Sequence, residues 1–132
     1  MRYRRLSYRY AVVLAIGEPR PIGDPWRTIP VVLAQPRWRP PADLVENDQA
    51  FVLTVELAGV ESDQVEILLY EDAVIIEGQR RLPVIGSYHV AEIRQGPFRL
   101  EMPLPAPVDT EKVEGQLERG LLTMRLPKVT AR

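Results

Sequence analysis

The sequence contains no cysteine and only one histidine, His89. Disulfides, thiolate nucleophiles, cysteine-based zinc sites and multi-histidine metal sites are therefore excluded. The eight glycines are scattered, so there is no glycine-rich phosphate loop and we expect no cofactor. The longest apolar run, residues 11–16, is far shorter than the ~20 residues that a membrane-spanning helix needs. The run is also too short for a signal peptide, so we expect a soluble, cytoplasmic protein. We expect no bound metal, since cysteine-based and multi-histidine sites are excluded.

Proline is over-represented in the first third of the chain. Thirteen of the 132 residues are proline, and seven of these fall between Pro19 and Pro41. Because proline fixes φ and removes a donor, this stretch favours an extended chain over a long helix or a central strand. We therefore predict three parts: a Pro-rich, extended or partly helical N-terminal arm (residues 1–37), one domain (residues 38–128) and a short tail (residues 129–132).

The net charge of −1 conceals a strong asymmetry between the two ends. Residues 1–41 carry eight arginines and two acidic residues, which gives +6, whereas residues 42–132 carry nine Lys/Arg and sixteen Asp/Glu, which gives −7. A basic arm is compatible with nucleic acid or an anionic membrane. Its charges are few and dispersed, however, so we favour an arm that folds against its own acidic domain or a neighbour's, with no nucleic acid and no membrane as partner.

After Pro41 the hydrophobic pattern alternates with a period of two, which is typical of half-buried strands. Seven strands are predicted, over residues 51–57, 65–70, 73–77, 88–93, 98–104, 113–117 and 121–126. Gly78 is expected to end the third, and Gly59 and Gly120 are expected to take positive φ in turns. Residues 6–16 could be a short amphipathic helix or a strand. Closely spaced short strands without a helical period predict an all-β fold, an antiparallel β-sandwich of the immunoglobulin-like kind.

The sequence offers little for catalysis. His89 has Glu92 nearby in sequence, but a triad needs a nucleophile and an orienting partner, and no serine lies in a G-x-S-x-G motif. The acidic pairs of the chain, such as Glu71 and Asp72, fall in predicted turns, where they act as caps or solvated loops. We therefore expect that the protein is not an enzyme.

Four motifs, in order along the chain, resemble the small heat-shock protein family and its alpha-crystallin domain. Residues 55–60 resemble V-x-L-P-G-V, with Ala58 for the proline, and residues 75–80 resemble L-x-I-x-G-x-R. Residues 96–99 resemble Y-G-x-F-x-R, with Gln95 where the aromatic would be. The last predicted hairpin resembles N-G-V-L followed by L-P-K, with Gly120, Leu122 and residues 126–128 matching. The resemblance covers about residues 38–128 and implies an alpha-crystallin-type sandwich.

The resemblance also implies an ATP-independent holdase that binds partly unfolded client proteins and prevents their aggregation. A CS-domain-like adaptor or co-chaperone that binds one specific partner is the alternative. In the family, two strands border an apolar groove that accepts an I-x-I/V segment. Carried over by position, the groove residues are Val65, Ile67, Leu69, Val113, Gly115 and Leu117. Much of the client surface would be supplied by the arm, through Tyr8, Tyr10, Val12, Val13, Leu14 and Ile16.

Three departures from the family pattern bear on self-association. The sequence has no I-x-I segment near residue 132, so we expect an oligomer built from dimers but smaller than is usual for the family. The tripeptide Ile29-Pro30-Val31 has the missing form, and we predict that Ile29 and Val31 dock in the groove. The segment 81–87, which would reach the dimer partner, is short, and Leu100 replaces an arginine that pairs across the dimer in many members.

Overall fold

The computed structural model describes residues 37–130 in full and, in the arm, the strand backbones of residues 2–5 and 12–15. These residues form nine β-strands and a single 3₁₀ turn, Ser62–Gln64. The strands are β1 (Arg2–Arg5), β2 (Val12–Ala15), β3 (Ala42–Glu46), β4 (Ala50–Glu56), β5 (Val65–Leu69), β6 (Ala73–Arg80), β7 (Gly96–Pro103), β8 (Glu114–Glu118) and β9 (Leu121–Pro127).

The strands form two sheets in which every neighbouring pair is antiparallel. Sheet A has the order β1-β2-β5-β6-β7, and sheet B has the order β3-β4-β9-β8. Inward-facing residues of both sheets join one buried apolar cluster. The prediction of an all-β antiparallel sandwich is thus confirmed. Within residues 37–130 the short 3₁₀ turn is the only helical segment, as expected from the absence of a helical period.

The alternating pattern determines which side chains enter the core. Strands β4 and β9 pair so that Phe51 lies opposite Leu126, Leu53 opposite Met124, and Val55 opposite Leu122. All six side chains are fully buried. Each contributes roughly 1.5–3 kcal/mol through burial of apolar surface, so this pair of strands supplies much of the core's stability. The apolar face predicted for the last strand is confirmed.

Two predicted glycine turns are confirmed by their backbone angles. Gly59 has φ +79° after β4, and Gly120 has φ +81° between β8 and β9. The carbonyl of Gly120 accepts a hydrogen bond from the amide of Leu57 at 2.7 Å. The β8–β9 hairpin is therefore tied to the end of β4, and glycine is required because side chains disfavour this φ.

Three strand predictions were wrong. Strand β3, Ala42–Glu46, was missed, because it follows Pro40 and Pro41 and lies at a sheet edge with little alternation. Gly78 does not end a strand; β6 continues through it to Arg80. Residues 88–93 form no strand. Their alternating pattern suits a strand, but none of the described strands lies beside them to supply hydrogen bonds.

The sequence alone does not distinguish a helix from a strand over residues 6–16. The structure describes residues 12–15 of this stretch as strand β2, which adds to the edge of β5. Its register sets Val12 opposite Leu69 and Ala15 opposite Glu66. Residues 6–11 and 16 lie outside the described part of the chain. A four-residue strand is stabilised by its neighbours in the sheet, which is why local sequence did not decide between the two.

Candidate functional site

The six predicted groove residues lie on two different sheets. Val65, Ile67 and Leu69 on β5 are almost completely buried in the core cluster. On the other sheet, Gly115 and Leu117 of β8 and the preceding Val113 are half-buried. Val113 and Leu117 pack against the same cluster, so their side chains and those of the three β5 residues face the interior between the sheets. That they form a slot for an extended peptide stays a prediction.

The edge of β5 is paired with the arm. Strand β2 runs antiparallel along it, with Leu14 opposite Ile67 and Val13 opposite Leu68. Main-chain groups along an open strand edge would bind an extended peptide by strand addition. Here the chain's own Val12–Ala15 takes that position, which sequence reasoning did not anticipate. The β-branched run at Val12 and Val13 was the available signal.

The predicted arm sites fall mostly outside the described residues. Of the client-binding candidates, Val12, Val13 and Leu14 belong to β2, where their backbone is described. Tyr8, Tyr10 and Ile16 lie outside the described residues, as do Ile29 and Val31. Client binding by the arm and groove docking by the tripeptide therefore stay predictions.

A long exposed excursion joins β6 to β7. It runs over residues 81–95, twice the length expected, because residues 88–93 form no strand. Ile85 is fully exposed, and more than half of the surface is exposed at Val84, Tyr88, Val90 and Ile93. Five exposed apolar side chains in one loop indicate an interaction surface, because contact of apolar surface with water is unfavourable unless a partner covers it.

His89 lies in this excursion and is exposed, as is Glu92. Neither takes part in a catalytic arrangement with a described serine. Within residues 37–130, no group of three or more acidic or histidine side chains is placed to hold a metal ion. No helix in the described part of the chain is long and apolar enough to cross a membrane.

Arg80 fixes both ends of the excursion to the sandwich. Its side chain is almost completely buried, with only 6% exposed. Nε donates to the carbonyl of Arg94 at 3.0 Å, and Nη1 donates to the carbonyl of Ala58 at 3.2 Å. Glu56 Oε1 lies 3.8 Å from Nη1 and supplies the opposite charge. These bonds satisfy a guanidinium that would otherwise be costly to bury. Sequence reasoning missed this role, although alternation along β6 put Arg80 at an inward position.

Trp38 anchors the end of the arm at the opposite edge of sheet A from β2. Its backbone pairs with β7 through two hydrogen bonds. The Trp38 amide donates to the Pro97 carbonyl at 3.2 Å, and the Trp38 carbonyl accepts from the Arg99 amide at 3.0 Å. The indole Nε1 donates to the Gly96 carbonyl at 3.2 Å. The ring lies 5.4 Å from that of Phe98, and the Arg80 guanidinium sits 4.4 Å above it.

A shallow depression of about 190 Å³ lies on the outer face of the β8–β9 hairpin. It is lined by Glu114, Gly115, Gln116, Thr123 and Arg125. Apart from the glycine these side chains are polar, and β8 is half-exposed or exposed throughout. No apolar side chain lines the depression, whereas small-molecule sites are lined mainly by apolar and aromatic side chains.

Comparison with known proteins identifies relatives of this sandwich. The sequence matches the Hsp20/alpha crystallin family over residues 43–132. Small heat shock protein C4 of Rickettsia felis is 30% identical over 92 residues, which are 67% of this chain and 56% of that protein. The 17.7 kDa class II heat shock protein of Arabidopsis thaliana is 28% identical over 94 residues, 67% of this chain and 60% of that protein. The matched region thus spans less than two thirds of these curated relatives.

Solved structures share the fold. Heat shock protein 16.0 from Schizosaccharomyces pombe superimposes with a TM-score of 0.64 and 28% identity, covering 70% of this chain and 89% of that one. A small heat-shock protein from Xylella fastidiosa superimposes with a TM-score of 0.65 and 25% identity, covering 74% and 92%. Because the family match extends over more than half of the sequence and the sandwich agrees with these structures, the chain belongs to the Hsp20/alpha crystallin family of small heat-shock proteins.

Proposed function

We propose that this protein is an ATP-independent chaperone that holds partly unfolded proteins and prevents their aggregation. The observation that carries the proposal is the family match over residues 43–132. Clients expose apolar surface as they unfold, and binding of that surface lowers the concentration of free aggregation-prone chains. The acidic domain, with −7 over residues 42–132, would help to keep such complexes in solution.

The arm, residues 1–37, is proposed to supply much of the client surface. A variant lacking these residues is expected to keep a β-type circular dichroism spectrum and to lose most suppression of aggregation. Light scattering of three unrelated thermolabile enzymes during heating measures this, with the full chain as the reference. Broad suppression by the full chain supports a holdase, whereas protection of a single partner would indicate an adaptor. Full activity of the truncated variant would show that the arm is not the client site.

A homodimer is proposed to form through the excursion and β3. Strand β3 is the edge of sheet B, and Val45 on it is exposed. An exposed edge with an apolar side chain is a ready template for another strand. Residues 88–93 have the alternating pattern of a strand, and a second copy would supply the missing neighbour. The fifteen residues 81–95 reach up to about 50 Å when extended, ample for a crossing.

The combined variant Val90→Ser and Ile93→Ser is expected to shift the protein toward the monomer, because both exposed side chains would lie in the dimer contact. Sedimentation across a concentration series gives the mass. Val129→Ser is the control, since Val129 is also apolar and more than half exposed but lies outside the excursion. Unchanged mass in the double variant would rule out this contact.

Docking of Ile29 and Val31 in the groove remains part of the proposal. The double change Ile29→Gly and Val31→Gly is expected to make the arm more sensitive to protease. Unchanged sensitivity and unchanged assembly mass would count against it.

A further inference from the structure

The outer face of sheet A carries a row of charged side chains that continues into the arm. Residues directly opposite one another in antiparallel strands share a face of the sheet. Ala15 on β2 lies opposite Glu66, Glu66 lies opposite Glu77, and Glu77 lies opposite Arg99. One row therefore crosses β2, β5, β6 and β7 on the side away from the core.

Two carboxylates are direct neighbours in this row. Like charges directly opposite in a sheet destabilise it unless cations lie close by. Glu77 has such cations: Arg37 Nη1 lies 2.5 Å and Arg99 Nε lies 3.9 Å from Glu77 Oε2. Glu66 is only 5% exposed, although it lies on the outer face. A carboxylate buried to that degree requires compensating charge and hydrogen bonds.

Strand β1 has arginines at two positions of the same face of sheet A. Arg2 lies opposite Ala15 and therefore falls in the row of Glu66, two strands away. Arg4 lies opposite Val13, in the next row of the same face. Strands are about 4.8 Å apart, so the backbone positions of Arg2 and Glu66, two strands apart, are separated by roughly 10 Å. The register thus brings basic positions of the arm beside the buried acidic position of β5.

We propose that the β1–β2 hairpin is an electrostatically latched cover of the β5 edge. The juxtaposition of Arg2 and Arg4 with Glu66 on the outer face of sheet A holds this chain's own hairpin on β5. While the hairpin is in place, no other extended segment can add to that edge, so Ile29 and Val31 would enter the groove along β8. The charges of the two parts, +6 over residues 1–41 and −7 over residues 42–132, support the same docking. The latch is independent of chaperone activity.

Hydrogen–deuterium exchange of the full chain tests the latch. In the double variant Arg2→Ala and Arg4→Ala, amides of residues 12–15 are expected to exchange roughly tenfold faster, because the proposed attraction to Glu66 is lost. Raising sodium chloride from about 0.05 M to 1 M should accelerate exchange in the wild type, because the Debye length falls to about 3 Å. Arg9→Ala removes one positive charge from the chain between the two strands and is the control, compared with Arg2→Ala and Arg4→Ala singly as well as with the double variant.

Glu66→Gln tests the other side of the latch, and it should loosen residues 12–15 and reduce their salt dependence. Glu114→Gln, an exposed change on β8, is its control. Protection of β4 and β9 should be unchanged in every variant, which separates release of the hairpin from unfolding. The proposal is overturned if Arg9→Ala loosens β2 as much as the double variant, or if salt has no effect on β2.

A cross-link distinguishes this chain's hairpin from one donated by a second copy. Val13 and Leu68 lie directly opposite, and the chain has no native cysteine. The Val13→Cys, Leu68→Cys variant is expected to form a disulfide within one chain, which denaturing electrophoresis resolves from a covalent dimer. The added changes Arg2→Ala and Arg4→Ala should slow its formation. A predominantly covalent dimer would overturn the assignment to the chain's own hairpin.

Discussion

The Gly78→Ala variant is expected to lose about 3 kcal/mol or more of its free energy of unfolding. Gly78 lies within β6 at a buried position, so a side chain there would point toward the core. A Cβ atom there would overlap the backbone carbonyl oxygen of Gln64 and lie 2.6 Å from Cζ of Phe98. Phe98 lies directly opposite Gly78 and is itself buried. Neither neighbour can move without shifting the 3₁₀ turn or the core, so the strain cannot be relieved locally.

Chemical denaturation followed by circular dichroism measures this effect. Gln79→Ala is the matched control, because Gln79 is the next residue of the same strand and lies on the outer face. Its expected cost is within about 0.5 kcal/mol, typical of a surface substitution. A Gly78→Ala protein within about 1 kcal/mol of the wild type would mean that the Ser62–Gln64 turn yields easily, contrary to the packing described.

The Trp38→Ala variant is expected to lose about 3–5 kcal/mol of unfolding free energy, the usual range for deletion of a buried tryptophan. Trp38 is 7% exposed and fills the space between Phe98 and Arg80. Its loss leaves a cavity beside a buried guanidinium. It should also release the end of the arm, so tryptic cleavage after Arg37 should become faster.

Trp38→Phe separates packing from the hydrogen bond to Gly96. The phenyl ring keeps most of the apolar contact but cannot donate to the Gly96 carbonyl, so the expected cost is only about 1–2 kcal/mol. Both variants are measured by denaturation followed by circular dichroism, because tryptophan fluorescence itself changes. A loss below about 1 kcal/mol for Trp38→Ala would show that the arm end is not a structural anchor.

The arm strand β2 and Trp38, the residue that follows the arm, thus lie on opposite sides of the three strands β5, β6 and β7. Strand β2 lies on the edge of β5, whereas Trp38 lies on the edge of β7, with β5, β6 and β7 between them. Edges of a sheet are where an extended peptide or a second subunit adds.

Much of the sandwich was predictable because its strands carry their own periodicity. Phe51, Leu53 and Val55 alternate with more polar neighbours, and burial of that face requires an extended strand whichever strand lies next to it. The turn at Gly120 was predictable for a similar reason, since its φ of +81° favours glycine on local steric grounds. The candidate groove was harder to predict from the sequence. Val65, Ile67 and Leu69 were named from a resemblance, but alternation alone does not separate the wall of a groove from the core.

Local sequence by itself determined the inward and outward faces of the long strands, the positions of the glycine turns and the basic character of the arm. Tertiary structure decided whether a given segment becomes a strand. Residues 12–15 do so beside β5, and Ala42–Glu46 does so beside β4, whereas residues 88–93, with an equally suitable pattern, do not. It also decided that Arg80 is buried among carbonyls. The physical reason is that strand hydrogen bonds and buried charges are satisfied by residues distant in the chain, so a local pattern cannot specify them.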